Sequence, residues 1–203
     1  MKEDIKWCDL RITIPYVMGQ LSEKKLSAII ENLRESQFKN AKLIMSELHV
    51  AAISLVNGKK NLLIEPQQIT FASHLEDGFD IEAIQLQFST VLNALLIDDE
   101  NQYLVNIEGI SDTDNSHAES KQFFEEKFMP LDDDICGVGY RFLVNSGELF
   151  GEFKIEPLVS DVGKYYYQWV LNKSEKGTIE DMLHDVQSNM DKERDGCYSV
   201  IRR

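Results

Sequence analysis

The sequence predicts an α+β fold, a mainly antiparallel curved sheet with helices segregated on one face. Stretches with a two-residue apolar period interchange with stretches of helical period, so both element types are present. Asn57-Gly58 and Asn145-Ser146-Gly147 each join two apolar runs, as hairpin turns do. The last third reads as a meander of three strands, and meanders with hairpins build antiparallel sheets. About seven strands and four helices follow from these patterns.

In order, Leu10, Ile12, Ile14 and Tyr16 alternate as a half-buried strand over 9–17, with Pro15 suited to its end. Ser22 caps a helix carrying Leu26, Ile29, Ile30 and Leu33 at helical spacing. Residues 43–56 read as one strand. After Asn57-Gly58, a return strand runs from Leu62 to Phe71, interrupted or bent by Pro66. The loop reads as longer than two residues, because Lys59, Lys60 and Asn61 are also polar. Asp80 caps a helix whose Ile81, Ile84, Phe88, Val91, Leu92 and Leu95 form a broad apolar face. Residues 103–110 form a strand. Ser116 and Glu119 have the spacing of a capping box ahead of Phe123, Phe124 and Phe128, and Pro130 stops that helix. Strands follow at 138–144, 149–159 and 165–171, with Gly151 marking a bulge. Thr178, with Asp181 three residues on, caps a last helix bearing Ile179, Met182, Leu183, Val186 and Met190. Tyr198, Val200 and Ile201 lead to Arg202 and Arg203 as a basic tail or a last strand. The chain reads as one unit, 1–203, with similar halves at 1–97 and 98–203 that no Pro- or Gly-rich linker separates.

The 203 residues are enough to bury a core without disulfides or a structural metal. The formal charge of −14 sets the chain against the phosphate backbone, so direct nucleic-acid binding is not expected. Residues 1–20 contain no apolar segment of a signal sequence, and no stretch approaches a membrane span, so no membrane association is expected. Cys8, Cys136 and Cys197 are far apart and odd in number, which fits free thiols in a reducing cytoplasm.

The stretches 53–71 and 137–171, with Met182-Leu183-His184, resemble in layout a sporadically distributed prokaryotic family of unknown function. The resemblance covers most of the chain as a pattern. It implies no activity and transfers no functional residue.

Catalytic and ligand signatures are missing from the local sequence. His49, His74, His117 and His184 form no metal-binding pair, and no catalytic, cofactor or metal residue is assigned. His49 is expected within a strand, and His74 and His117 in loops. Asp132-Asp133-Asp134 lacks the alternating ligands of a calcium loop. Gly137-Val138-Gly139 is followed by a strand, where a phosphate loop needs a helix. The three aspartates ahead of Cys136 oppose a thiolate.

Two features point to contacts. Between Asp98 and Asp134 twelve acids face only Lys121 and Lys127. Converged, they would steer a basic protein partner; dispersed, they are solvated loops. Tyr165, Tyr167 and Trp169 share one face of a strand, either as a contact platform or as core. The expected partner-binding residues are therefore Asp112, Asp114, Asp132, Asp133, Asp134, Tyr165, Tyr167 and Trp169. The expected function is a non-enzymatic acidic adaptor, inhibitor or accessory subunit. The alternatives are a small-ligand binder or enzyme with a site between sheet and helices, and a nucleic-acid mimic. The aromatic strand also admits a homo-oligomer.

Overall fold

A computed structural model describes residues 5–76, 78–146 and 148–201. Nine strands and four helices follow in the order β1 (Lys6–Pro15), α1 (Glu23–Glu35), β2 (Lys42–Ser46), β3 (Ala51–Val56), β4 (Lys60–Ile64), β5 (Gln68–His74), α2 (Ile81–Leu95), β6 (Leu104–Asp112), α3 (Ser116–Lys127), β7 (Tyr140–Ser146), β8 (Leu149–Pro157), β9 (Lys164–Lys173) and α4 (Ile179–Ile201). All strands lie in one antiparallel, curved open sheet, ordered β2-β3-β4-β5-β1-β6-β9-β8-β7. The α+β reading holds.

Two expected strands are each two. The 43–56 run folds back on itself, and Glu47 N–H donates to Val50 O at 2.8 Å to close the reversal. His49 is thus exposed in a turn and not within a strand. Pro66 lies in a full reversal between β4 and β5, where a residue without an N–H breaks no ladder bond. The loop after β3 is longer than two residues, as expected, and runs over 57–59: Asn57 and Gly58 have positive φ, 42° and 80°, and Lys59 N–H donates to Val56 O at 2.7 Å. Such a turn matches the twist of its strands, so Lys60 and Asn61 already belong to β4.

Alternation divides the sheet into a covered and an open face. Leu10, Ile12 and Ile14 of β1, Ile69 and Phe71 of β5, Val105 and Ile107 of β6, and Tyr167, Trp169 and Leu171 of β9 are all buried on the covered face. The helices lie there. α1 buries Leu26, Ile29 and Leu33, α2 buries Phe88, Val91 and Leu92, and α4 buries Met182, Leu183 and Val186. Phe88 meets Phe71 and Tyr103 edge-on, with centroids 5.9 and 6.0 Å apart.

The expected caps form at Ser22, Asp80 and Thr178. At α3 the cap is Asn115, one residue before the expected Ser116: its side chain accepts from Ala118 N–H at 3.0 Å, and Glu119 reaches back to Asn115 N–H at 3.0 Å. Gly151 marks no bulge. Its register with Val144 and Leu171 is regular, and a Cβ there would stand 2.4 Å from Val170 O. Close strand approach on the covered face therefore excludes a side chain. The chain through Ile201 is helical, so Tyr198, Val200 and Ile201 form no last strand; Arg202 and Arg203 lie outside the described residues.

The two halves repeat one layout, strand, helix, antiparallel strands and helix, and meet through β1 beside β6. Among the described residues no helix is long and apolar enough to cross a membrane.

Candidate functional site: α3 and its acidic connector

α3 is fixed to the sheet by polar bonds more than by apolar packing. Its buried residues are Ser116 and Ser120. Ser116 donates to Val162 O through both its backbone N–H, at 2.7 Å, and its hydroxyl, at 3.0 Å. Ser120 Oγ accepts from Val138 N–H at 3.1 Å, pinning the chain that enters β7. Gly137 fits against α3 because a Cβ would crowd Ser120 Oγ and Pro157 at 3.2 Å. That close approach explains the glycine without a phosphate. His117 sits in the first turn of α3, not in a loop, with Nε2 3.2 Å from Leu158 O.

Residues 128–139 form the connector from α3 to β7. Lys121 Nζ donates to Asp132 O at 3.0 Å, and Leu131 N–H donates to Glu125 Oε1 at 3.1 Å. A turn closes as Ile135 N–H donates to Asp132 O at 3.1 Å. Both lysine-to-connector and helix-to-connector bonds thus hold the Asp132–Asp134 run against α3. The three side chains are exposed, and among the described residues none makes an ion pair. Around them Phe128 is 67 % exposed, Met129 59 % and Ile135 38 %. Phe128 leans on Phe124, with centroids 5.0 Å apart. Phe123 instead turns inward, edge-on to Tyr140 at 5.7 Å.

The expected residues separate. Asp112, Asp114, Asp132, Asp133 and Asp134 all belong to α3 or its flanks and are exposed. Asp112 stands opposite Lys164 in the β6–β9 register. Lys164 is claimed chiefly by Asp161, at 2.7 Å, which raises the ammonium above its ordinary pKa; Asp112 adds a smaller push the same way. Tyr167 and Trp169 are buried, and this corrects the platform expectation. The face they share is the covered one, where Trp169 meets Phe153 edge-on at 4.8 Å. Tyr165 is partly buried against the same core. Tyr166 is the member of the cluster on the open face. Burial and, next, Glu108 push its phenol up to about 12.

The twelve acids do not form one surface. Asp98, Asp99 and Glu100 precede β6 and Asp112 ends it, about 30 Å apart along nine residues of strand. Asp99 is spent on structure. It accepts from Tyr103 Oη–H at 2.9 Å and from Ile179 N–H at 3.2 Å, tying α4 to the sheet. Glu119 likewise serves Thr113 and the α3 cap.

A second concavity lies between β4, β5 and the start of α2. It has a volume of about 120 Å³ and is lined by Lys60, His74, Glu76, Asp80 and Gln87 among others. Lys60 Nζ donates to Ser73 Oγ at 3.0 Å and Gln87 Oε1 at 2.7 Å, and burial lowers its pKa. Cavities that take organic ligands start at about 300 Å³. The space suits a few waters. A larger hollow of about 310 Å³ lies beside Trp7, Phe79 and Met190, and among the described residues Lys6 is the one charged residue lining it. Among the described residues no three His, Cys, Asp or Glu side chains converge as a metal site would require.

No family model matches the sequence, and no curated protein matches it.

The acidic run was legible before the fold. The apolar residues beside it were missed as contact residues. Their signal was present: Phe124 and Phe128 share a helix face that no other apolar residue of α3 extends.

Proposed function

We propose that the protein is a non-enzymatic interaction protein, an adaptor, inhibitor or accessory subunit, that docks a basic protein partner on α3 and its connector. The observation that carries this reading is the adjacency of the unpaired Asp132, Asp133 and Asp134 carboxylates to exposed Phe128, Met129 and Ile135. Exposed carboxylates attract a basic surface from a distance and set orientation. Exposed aromatic and thioether side chains supply the desolvated anchors that carry most affinity at interfaces. A solvated loop accounts for the charges but not for three large apolar side chains left beside them. The nucleic-acid mimic is the weaker reading, because it needs one continuous row of carboxylates and these acids lie at both ends of β6. For the ligand-binding alternative, the cavity at Lys60 is small for an organic molecule, and the larger hollow of about 310 Å³ beside Met190 has few polar groups among its described lining residues.

The test is affinity capture from a lysate of the source organism at low and high salt. It compares the wild-type chain with D132N/D133N/D134N and with Phe128→Ser. A basic partner held at low salt is expected, weakened by high salt and lost in both variants. Retention of the same partner by both variants would remove this face as the docking surface.

A further inference from the structure

We propose that a second copy of this chain pairs with β2, joining two sheets edge to edge in a two-fold symmetric dimer. β2 is one of the two sheet edges, and all five of its side chains are exposed. Leu43, Ile44 and Met45 are consecutive, at 41 %, 60 % and 43 % exposure, and Leu48 follows at 61 %. An exposed apolar edge is a template for another strand, and in β2, although it is short and bulged, the apolar residues are consecutive. The other edge, β7, is blunted. Its Arg141 is ion-paired to Glu152, and on the open face Leu143 stands between Arg141 and Asn145.

The occupant follows from the register. Opposed residues in a sheet must share a face. Leu43 lies opposite Ile53 and Ser46 opposite Ala51, both of the covered face. Lys42 lies opposite Ser54, and Met45 opposite Ala52, on the open face. The register shift between Leu43 and Met45 makes Ile44 the extra residue of a bulge, which puts it on the side of Met45. Glu47, next after Ser46, returns to the open face. Only one antiparallel self-pairing then engages all six residues 42–47 with every face matched: Lys42 against Glu47, Leu43 against Ser46 and Ile44 against Met45 of the second copy.

Two further observations agree with that register. Glu47 N–H points inward to Val50 O, so alternation leaves the N–H and C=O of Ser46 pointing outward. Counting back across the extra residue leaves Leu43 outward as well, so Leu43 and Ser46 can exchange both backbone bonds with their counterparts. The same register sets Lys42 against Glu47 twice, once on each side of the axis. Charge does not oppose the contact: between residues 36 and 50 only Lys39, Lys42 and Glu47 carry full charges, whereas the whole chain carries −14.

The test is sedimentation velocity of the full chain from about 1 to 100 µM, with variants at exposed positions. Wild type is expected to dimerise, and Ile44→Lys to be monomeric with an unchanged circular dichroism spectrum. K42E and E47K each place like charges opposite one another twice and should weaken self-association about tenfold. The double variant K42E/E47K should restore it. Mixing the two single variants should give a heterodimer, because both contacts become Glu against Lys. A wild-type monomer throughout the range overturns the proposal. So does a dimer that Ile44→Lys and the charge swaps leave unchanged.

Discussion

Trp169 is the largest side chain fully buried among the described residues, at 1 % exposure, and its replacement separates core from contact surface. Trp169→Ala removes a ring that fills the covered face of β9 and meets Phe153 edge-on at 4.8 Å. Deleting such a ring costs about 3–5 kcal/mol, the sum of lost transfer energy and the cavity left behind. For a domain of this size the midpoint of thermal unfolding falls by about 2–4 °C per kcal/mol, so a drop of about 10 °C is expected. Trp169 Nε1–H is buried without an acceptor among the described residues, and an orphaned donor costs about 1–3 kcal/mol. Trp169→Phe removes that donor along with part of the volume, so its cost should be well under half that of Trp169→Ala. Urea denaturation followed by circular dichroism measures both, and the slope should stay unchanged if only stability moves. Phe128→Ala, at 67 % exposure, should change stability by less than about 0.5 kcal/mol. A stable Trp169→Ala protein would refute the core assignment and return Trp169 to the contact surface.

Gly151→Ala should destabilise by about 1–3 kcal/mol, since the added Cβ would meet Val170 O at 2.4 Å; equal or raised stability by urea titration would show that β8 and β9 can part there. Lys154, first, and Arg141 hold the Glu152 carboxyl below its ordinary value of 4.5. A carboxyl lowered on folding adds stability that is present above its unfolded pKa and lost as pH falls through the folded value. Glu152→Gln should therefore flatten the loss of stability below about pH 4.5, read from denaturation midpoints across pH. Asp185 is the main cause of a raised Lys173 pKa, so its contribution is whole below pH 10.5 and fades as pH rises through the higher folded value. Asp185→Asn should therefore lower stability at neutral pH and flatten that alkaline loss, read from denaturation midpoints across pH. Asn115→Ala should cost about 1 kcal/mol through the α3 cap and weaken partner capture with it.

The fold class was legible because side-chain period and turn chemistry are local. Asn57-Gly58 specifies its hairpin through two positive φ angles that neighbours do not influence. The strand count was not, because apolar content continues through the reversals at 47–50 and 65–67. What cuts 43–56 in two is a single backbone bond from Glu47 to Val50, which no side-chain pattern announces. Which face of a strand is covered is likewise non-local. Tyr165, Tyr167 and Trp169 share a face in any strand, but only the position of the helices makes that face the core. The acidic aspartates of the connector were found by counting charge. Their apolar neighbours Met129 and Ile135 lie outside regular elements, where period gives no reading.

β1 is made first and ends in the middle of the sheet, between β5 and β6. During synthesis its first partner, β5, follows some 60 residues later and its second, β6, about 90 residues later. At about 5–20 residues per second, β1 waits about 5–20 s on the ribosome with at least one edge unsatisfied. The nascent chain therefore offers a strand whose Leu10, Ile12 and Ile14 are destined for the core to chaperones or to neighbouring chains over that interval. A substitution that weakens β1 would therefore act on assembly of the whole sheet, through both strands that β1 pairs with.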